Sequence, residues 1–160
     1  MGSPERHRYR IPLKGRPGRP RETPPFVIRN PTPEDADRLA ELMLDSYLGT
    51  IDYEGEGIEE AKAEVADYLA NDPMLECSWV VEDGQFLLAA ILVSKWEGRP
   101  LVGHVMTRDS AKSQGVAAVL LEMSIDVLAS QGWDSLDGFI TSGNTPSERL
   151  FMSAGATRIE

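Results

Sequence analysis

An α/β fold, with a mixed and mostly antiparallel central sheet flanked by about four helices, is predicted by three observations. Two helix-periodic segments with recognisable starts occupy residues 32–71. Three apolar extended runs then follow one another over residues 78–107, separated only by tight-turn pairs. The third run passes through a polar loop and a glycine straight into a long apolar helix.

In order along the chain, Phe26-Val27-Ile28-Arg29 reads as a first strand. Thr32-Pro33-Glu34-Asp35 is a helix start, with threonine as N-cap, proline in the first turn and acids near the positive end of the dipole. Ala36, Leu39, Ala40, Met43, Leu44 and Tyr47 recur at helical spacing behind it. An acidic, glycine-containing connection over 49–57 leads to a second amphipathic helix through Ile58, Ala61, Val65, Tyr68 and Leu69, which Asn71-Asp72-Pro73 ends. Residues 78–82, 85–94 and 100–107 form the antiparallel meander, with Asp83-Gly84 and Glu97-Gly98 as its turns. The helix from Gly115 to about Gln131 is apolar on most faces and predicted to be buried, with Gly132 as its C-cap. A strand over 136–141, a helix opening on a capping box at Thr145-Pro146-Ser147-Glu148, and a short strand over 156–159 complete the order.

The first 24 residues stand apart. They hold five prolines, seven basic residues against Glu5 and Glu22, and few large apolar groups. Such a composition does not bury enough surface to offset its ordering entropy, so residues 1–24 read as a disordered basic tail and 25–160 as the folded domain. The tail is +5, which leaves −15 on the rest of a chain whose net charge is −10. The acidic domain disfavours a nucleic-acid backbone and favours cationic small molecules or basic peptides. The two Gly-Arg-Pro triplets within 15–20 resemble the AT-hook core, so any nucleic-acid contact is expected only through the tail; an uncommitted basic tail is the simpler reading.

At 160 residues the chain is one domain with room for a sizeable core, and its 41% hydrophobic content is ordinary for a globular protein. No apolar run approaches the roughly 20 residues of a membrane span. Residues 1–21 lack the apolar centre of a secretory signal, and a cytoplasmic location is expected. Cys77 is the single cysteine and His7 and His104 lie far apart, so no metal site is expected and Cys77 reads as a buried core residue.

The chemistry concentrates after the third meander strand. A strand, loop and helix N-terminus place free backbone N–H groups and a positive dipole end around one small space, which suits a phosphate. Gly115 has no β-carbon and lets an anion approach the backbone. Lys112-Ser113-Gln114-Gly115-Val116-Ala117 resembles the acetyl-CoA-binding motif of the GNAT acyltransferases, Gln/Arg-x-x-Gly-x-Gly/Ala, with lysine in place of the first Gln/Arg. Asn144 to Ala156 is similar to a second segment of that family, Asn-x-x-Ala/Ser-x-x-Leu-Tyr-x-x-x-Gly-Phe. The element order of residues 26–160 resembles the GNAT fold as well.

The resemblance implies acetyl-CoA as cosubstrate and a primary amine of a small molecule or peptide as acceptor, with direct attack in a ternary complex. It implies that backbone groups of Val105, Met106 and Thr107 hold the acyl and pantetheine end. Lys112, Ser113, Gln114, Gly115, Val116 and Ala117 would surround the pyrophosphate, and Asn144 and Phe151 would lie along the pantetheine. The family's tyrosine donor to the leaving thiolate falls at Phe151, which carries no hydroxyl. Ser147 is then a weak substitute, and Asp52, Glu54, Glu56 and His104 are the candidate bases or substrate-charge contacts. A catalytically weak or inactive CoA-binding module is the alternative. Because the family adds a strand beyond the point where this sequence stops, the sheet edge is expected to be unfinished, which makes a homodimer a further expectation.

Overall fold

The computed structural model describes residues 5–16, 27–50 and 53–160. Its strands are β1 (Arg6–Pro12), β2 (Val27–Arg29), β3 (Trp79–Asp83), β4 (Phe86–Trp96), β5 (Arg99–Thr107), β6 (Ser135–Thr141) and β7 (Thr157–Arg158). The helices are α1 (Ala36–Tyr47), α2 (Ile58–Ala70), α3 (Val116–Ser130) and α4 (Thr145–Ser153). All seven strands form one sheet in the order β2-β3-β4-β5-β6-β1-β7. Every pairing is antiparallel except β5 with β6.

Strand alternation divides the core between the two sheet faces. Ala89, Ile91 and Val93 of β4 join Leu120, Leu121, Ile125 and Leu128 of α3 and Phe151 of α4. Ala90 and Leu92, one residue out of phase, join Leu39, Leu42 and Met43 of α1 and Ala61, Val65 and Tyr68 of α2. A strand buried on both faces reads as a continuous apolar run, and 87–93 is one. The turn between β4 and β5 uses Glu97 and Gly98, both at positive φ (51° and 77°), the conformation of a primed hairpin turn.

The helix starts hold with one shift. Thr32 caps a single 3₁₀ turn, Pro33–Asp35, that runs into α1, and its N–H donates to the Asp35 carboxylate at 2.8 Å. Asp35 also takes a fork from Arg29 and a bond from Arg38. These hold its carboxyl well below the ordinary range: the Arg29 bond dominates, and it outweighs the opposing effect of burial. At α4 the cap is Asn144 rather than the predicted box at Thr145: its side chain accepts from the Ser147 N–H at 3.2 Å. Asparagine is as strong an N-cap as any, and Pro146 then sits in the first turn.

The N-terminal segment corrects the sequence-based expectation. Residues 6–12, expected within a disordered tail, are β1, inserted between β6 and β7. Tyr9 and Ile11 enter the α3/α4 side of the core, and Leu13 follows them. On the other face Arg8 and Arg10 both reach Asp137 of β6, at 2.6 and 2.8 Å. Asp137 is 1% exposed, and burial alone would push its carboxyl up. The bonds and charges of Arg10 and Arg8 outweigh that and hold it below the ordinary range. Arg16 docks as well, donating to the Ala154 carbonyl at 2.6 Å and facing Glu122. The arginines at 8, 10 and 16 are therefore committed to intramolecular partners. The second Gly-Arg-Pro triplet (18–20) lies outside the described residues. With β1 in place the sheet has seven strands among the described residues, and its outermost members are β7, two residues long, and β2, of which three residues are described. The unfinished edge that suggested a dimer is filled from within the chain.

Candidate active site

The site begins where β5 and β6 part. They pair in parallel at Leu101↔Asp137 and Val102↔Gly138 only, although β5 continues to Thr107 and β6 to Thr141. Gly138, at the last pair, is open to α4 because the Phe151 ring lies where its β-carbon would be, 2.7 Å away. Phe151 is thus a core residue, 3% exposed, under the closed part of the strands.

Register decides which backbone groups line the gap. The Arg108 N–H donates to the Leu88 carbonyl at 2.7 Å, which fixes the phase of the β4–β5 ladder. By the two-residue alternation of antiparallel pairing, the amide of Met106 faces β4, whereas those of Val105 and Thr107 face away from it, towards the gap. The Thr107 N–H is taken by Ser46 Oγ at 3.0 Å. That leaves Val105, of the three residues singled out, with its backbone turned into the wedge.

The loop after β5 is pinned to α1. Arg108 forks onto Glu41 of α1, donates from Nε to the Leu87 carbonyl at 3.0 Å and lies 5.2 Å from the centre of the Phe86 ring. Asp109 N–H donates to Asp45 at 2.7 Å. Lys112 does not point at a phosphate position: its Nζ donates to the Ser46 carbonyl at 2.8 Å, in the last turn of α1. The chain then turns through Ser113 and Gly115 at positive φ (68° and 78°) and enters α3, whose first internal bond is Val119 N–H to Gly115 C=O. No hydrogen bond among the described residues uses the amide N–H groups of Ser113 to Ala117. Nothing lies within 4 Å of the β-carbon position of Gly115. The mouth of α3 is open, dipole end outward, with unpaired donors around it.

His104 sits on β5 beside the parting, on the α1/α2 face. Its Nδ1 is 3.1 Å from the Tyr47 hydroxyl and its Nε2 is 3.5 Å from the Glu64 carboxylate. Contact with His104 holds the Glu64 carboxyl below the ordinary range, against the opposing effect of partial burial. His104 and Gly103 form the floor of an open cleft of about 590 Å³ between α2 and the β4–β5 hairpin. Glu64, Asp67 and Asn71 line one side, Lys95, Trp96 and Glu97 the other. Behind it, Trp96 meets Phe139 edge-on at 5.4 Å, and Arg8 covers both rings.

Of the other acid–base candidates, Glu54, Glu56 and Ser147 share no hydrogen bond or ion pair with this cluster among the described residues. Asp52 lies outside the described residues. The Glu56 carboxylate turns back onto the Glu54 backbone and accepts from its N–H at 3.1 Å. Ser147 is in the first turn of α4, its amide capped by Asn144. Cys77 is buried, and burial pushes its thiol up to about 11, which leaves it protonated and unreactive. Sequence reasoning missed Tyr47, read as a core contact of α1, and Glu64, on the polar side of α2. Positions 47, 64 and 104 come from three elements, and no local spacing links them.

With this geometry in view, the comparisons are specific. A family model described as an acetyltransferase (GNAT) domain matches residues 26–157. No curated protein matches the chain. Among solved structures, a GCN5-related N-acetyltransferase from Sphaerobacter thermophilus superposes with a TM-score of 0.75 at 16% identity, over 96% of this chain and 48% of that one. The chain thus spans about half the length of that protein. A protein from Pyrococcus horikoshii OT3 gives 0.72 at 16% identity over 84% and 90% of the two chains. The diaminobutyrate acetyltransferase of Paenibacillus lautus, solved with L-2,4-diaminobutyric acid and coenzyme A, gives 0.62 at 20% identity over 80% and 73%. No helix among the described residues is long and apolar enough to cross a membrane. The parted strands, the open helix mouth and the family match over most of the sequence lead to one assignment: the chain belongs to the GNAT acetyltransferase family.

Proposed function

We propose that the protein transfers an acetyl group from acetyl-CoA to a primary amine, by direct attack in a ternary complex. The observation that carries this reading is the pairing of a β5–β6 parting with unpaired amide donors at the mouth of α3. The residues present fit the cosubstrate. The amides of Ser113 to Ala117 suit a diphosphate, and the open space at Gly115 admits it. A pantetheine arm fits between strands that have stopped pairing, with the Asn144 side of α4 along it. The likeness to a diaminobutyrate acetyltransferase solved with coenzyme A and its diamine supports the same reading.

Acetyl-CoA supplies an activated acyl carbon; the chain supplies position, charge and proton handling. The backbone of Val105 faces the gap, so its N–H is the donor for the carbonyl oxygen as that oxygen gains negative charge. The neutral amine must shed a proton as it bonds to the acyl carbon, and the His104 cluster is the group placed to take it. The carboxylates of Glu64, Asp67 and Glu97 around the cleft favour a cationic acceptor, such as a diamine, a polyamine or a lysine side chain.

Phe151, which has no hydroxyl to offer, favours the second reading of a CoA-binding module without turnover. A thiol-release assay separates the two. With acetyl-CoA and a panel of 1,3-diaminopropane, spermidine, a lysine peptide and glutamate, cationic amines are expected to raise thiol release by about a hundredfold, the range of positioned acid–base catalysis. Glutamate is expected to leave it unchanged. CoA binding without stimulation by any amine would support the module instead.

A further inference from the structure

We propose that Tyr47, not the His104 ring itself, is the group that exchanges protons with the reactants, and that it replaces the hydroxyl missing at Phe151. The inference rests on the acetyl-transfer reading and names the working end of its proton path.

Three contacts carry it. A carboxylate only accepts, so the Glu64 contact at 3.5 Å assigns the proton of a neutral His104 to Nε2. Nδ1 is then an acceptor, and its partner at 3.1 Å is the Tyr47 hydroxyl, which donates. The order carboxylate, imidazole, hydroxyl is that of a hydrolase triad, in which the hydroxyl meets the substrate and the imidazole stores its proton. The place is also right: Tyr47 ends α1 next to Ser46, whose Oγ takes the Thr107 N–H at the end of β5. His104 is one residue before Val105, on the cleft floor. The hydroxyl therefore lies on the acceptor side of the wedge, opposite Phe151, which is buried beneath the other face.

The step balances. As the amine nitrogen bonds to the acyl carbon, it gives a proton to Tyr47 Oη while the Tyr47 proton passes to His104 Nδ1. The imidazolium so formed faces the Glu64 carboxylate. When the carbon–sulfur bond breaks, Nδ1 returns its proton to Tyr47 and Tyr47 protonates the thiolate. For an amine that has already released its ammonium proton to water, the net movement is one proton from nitrogen to sulfur, and all three side chains end as they began. Tyr47 touches the reactants and is the catalytic residue; His104 and Glu64 act through it.

The test reads binding rather than turnover, so no acceptor need be known. Calorimetric affinities for CoA and for desulfo-CoA, which lacks the sulfur, are compared in the wild type and in Tyr47→Phe at about pH 9, where alkyl thiols begin to ionise. The wild type is expected to prefer CoA by about tenfold, the worth of one hydrogen bond to a charged partner, and Tyr47→Phe to lose that preference while binding desulfo-CoA unchanged. Thermal melting of Tyr47→Phe, which removes one oxygen, establishes that it is folded. An equal preference in both proteins, or none in the wild type, overturns the assignment of Tyr47. If neither nucleotide binds the wild type, the acetyl-transfer reading itself falls.

Discussion

Asp137 shows how one buried charge is made tolerable. It is 1% exposed, between β1 and β5, and two guanidinium groups converge on it. Removing one partner of such a pair leaves the other desolvated, which costs more than the pair itself is worth. Asp137→Ala is expected to lower unfolding free energy in urea by about 3 kcal/mol, the lower end for a broken buried pair, because the Arg10 head is 32% exposed and can turn to water. Replacement of both Arg8 and Arg10 by alanine is expected to cost more, since the carboxylate has no such exit. Equal stability of the wild type and Asp137→Ala in urea would show the pair to be neutral. At this scale the sequence was readable where the signal is local. Gly115 announces an open helix mouth and Cys77 a core position. Arg10 stands 127 positions from Asp137 and Tyr47 57 positions from His104, and nothing near either residue names these partners.

The element that most changes the picture is β1. Its composition, averaged over 24 residues with five prolines, reads as disorder. The signal is shorter than that window: Arg6-His7-Arg8-Tyr9-Arg10-Ile11 alternates, with basic residues on one face and Tyr9 and Ile11 on the other. The prolines stand outside its paired core except Pro12, which ends it. Pairing along seven positions with β6 and burial of Ile11 and Leu13 then stabilise it, each side chain by about 1.5–3 kcal/mol before entropy. A chain lacking residues 1–12 is expected to lose its cooperative thermal transition and to associate through the exposed edges of β6 and β7. This is checked by circular dichroism and gel filtration. A truncated domain that melts as the full chain does would return the segment to the status of a tail. The meander and the four helices, by contrast, were legible to within a residue or two, because turn pairs and caps act over four residues. The cap of α4 shifted by one since Asn144 and Thr145 are both good caps and only the Pro146 position decides between them.

For the molecule as a whole, charge and the wedge set the behaviour. Asp35 and Asp137 both titrate below the ordinary carboxylate range in the folded state. Their stabilisation is complete above the unfolded value near pH 4 and is lost as pH falls through the folded ones, because the unfolded chain takes up those protons first. Unfolding free energy is therefore expected to fall below about pH 4, and Asp137→Asn, weaker at neutral pH, to lose less on acidification; a flat profile in the wild type would remove this contribution. The central claim is the cavity shared by the parting of β5 from β6 and the mouth of α3. The most direct measurement is calorimetric titration of acetyl-CoA into the wild type, Gly115→Asn and Gly115→Asp, since both side chains tolerate the left-handed backbone and only one adds a negative charge. The account predicts micromolar binding by the wild type, a modest loss in Gly115→Asn, and a loss of at least about a hundredfold in Gly115→Asp from a charge set against a diphosphate. Equal affinity in all three proteins, or no binding by the wild type, would contradict it.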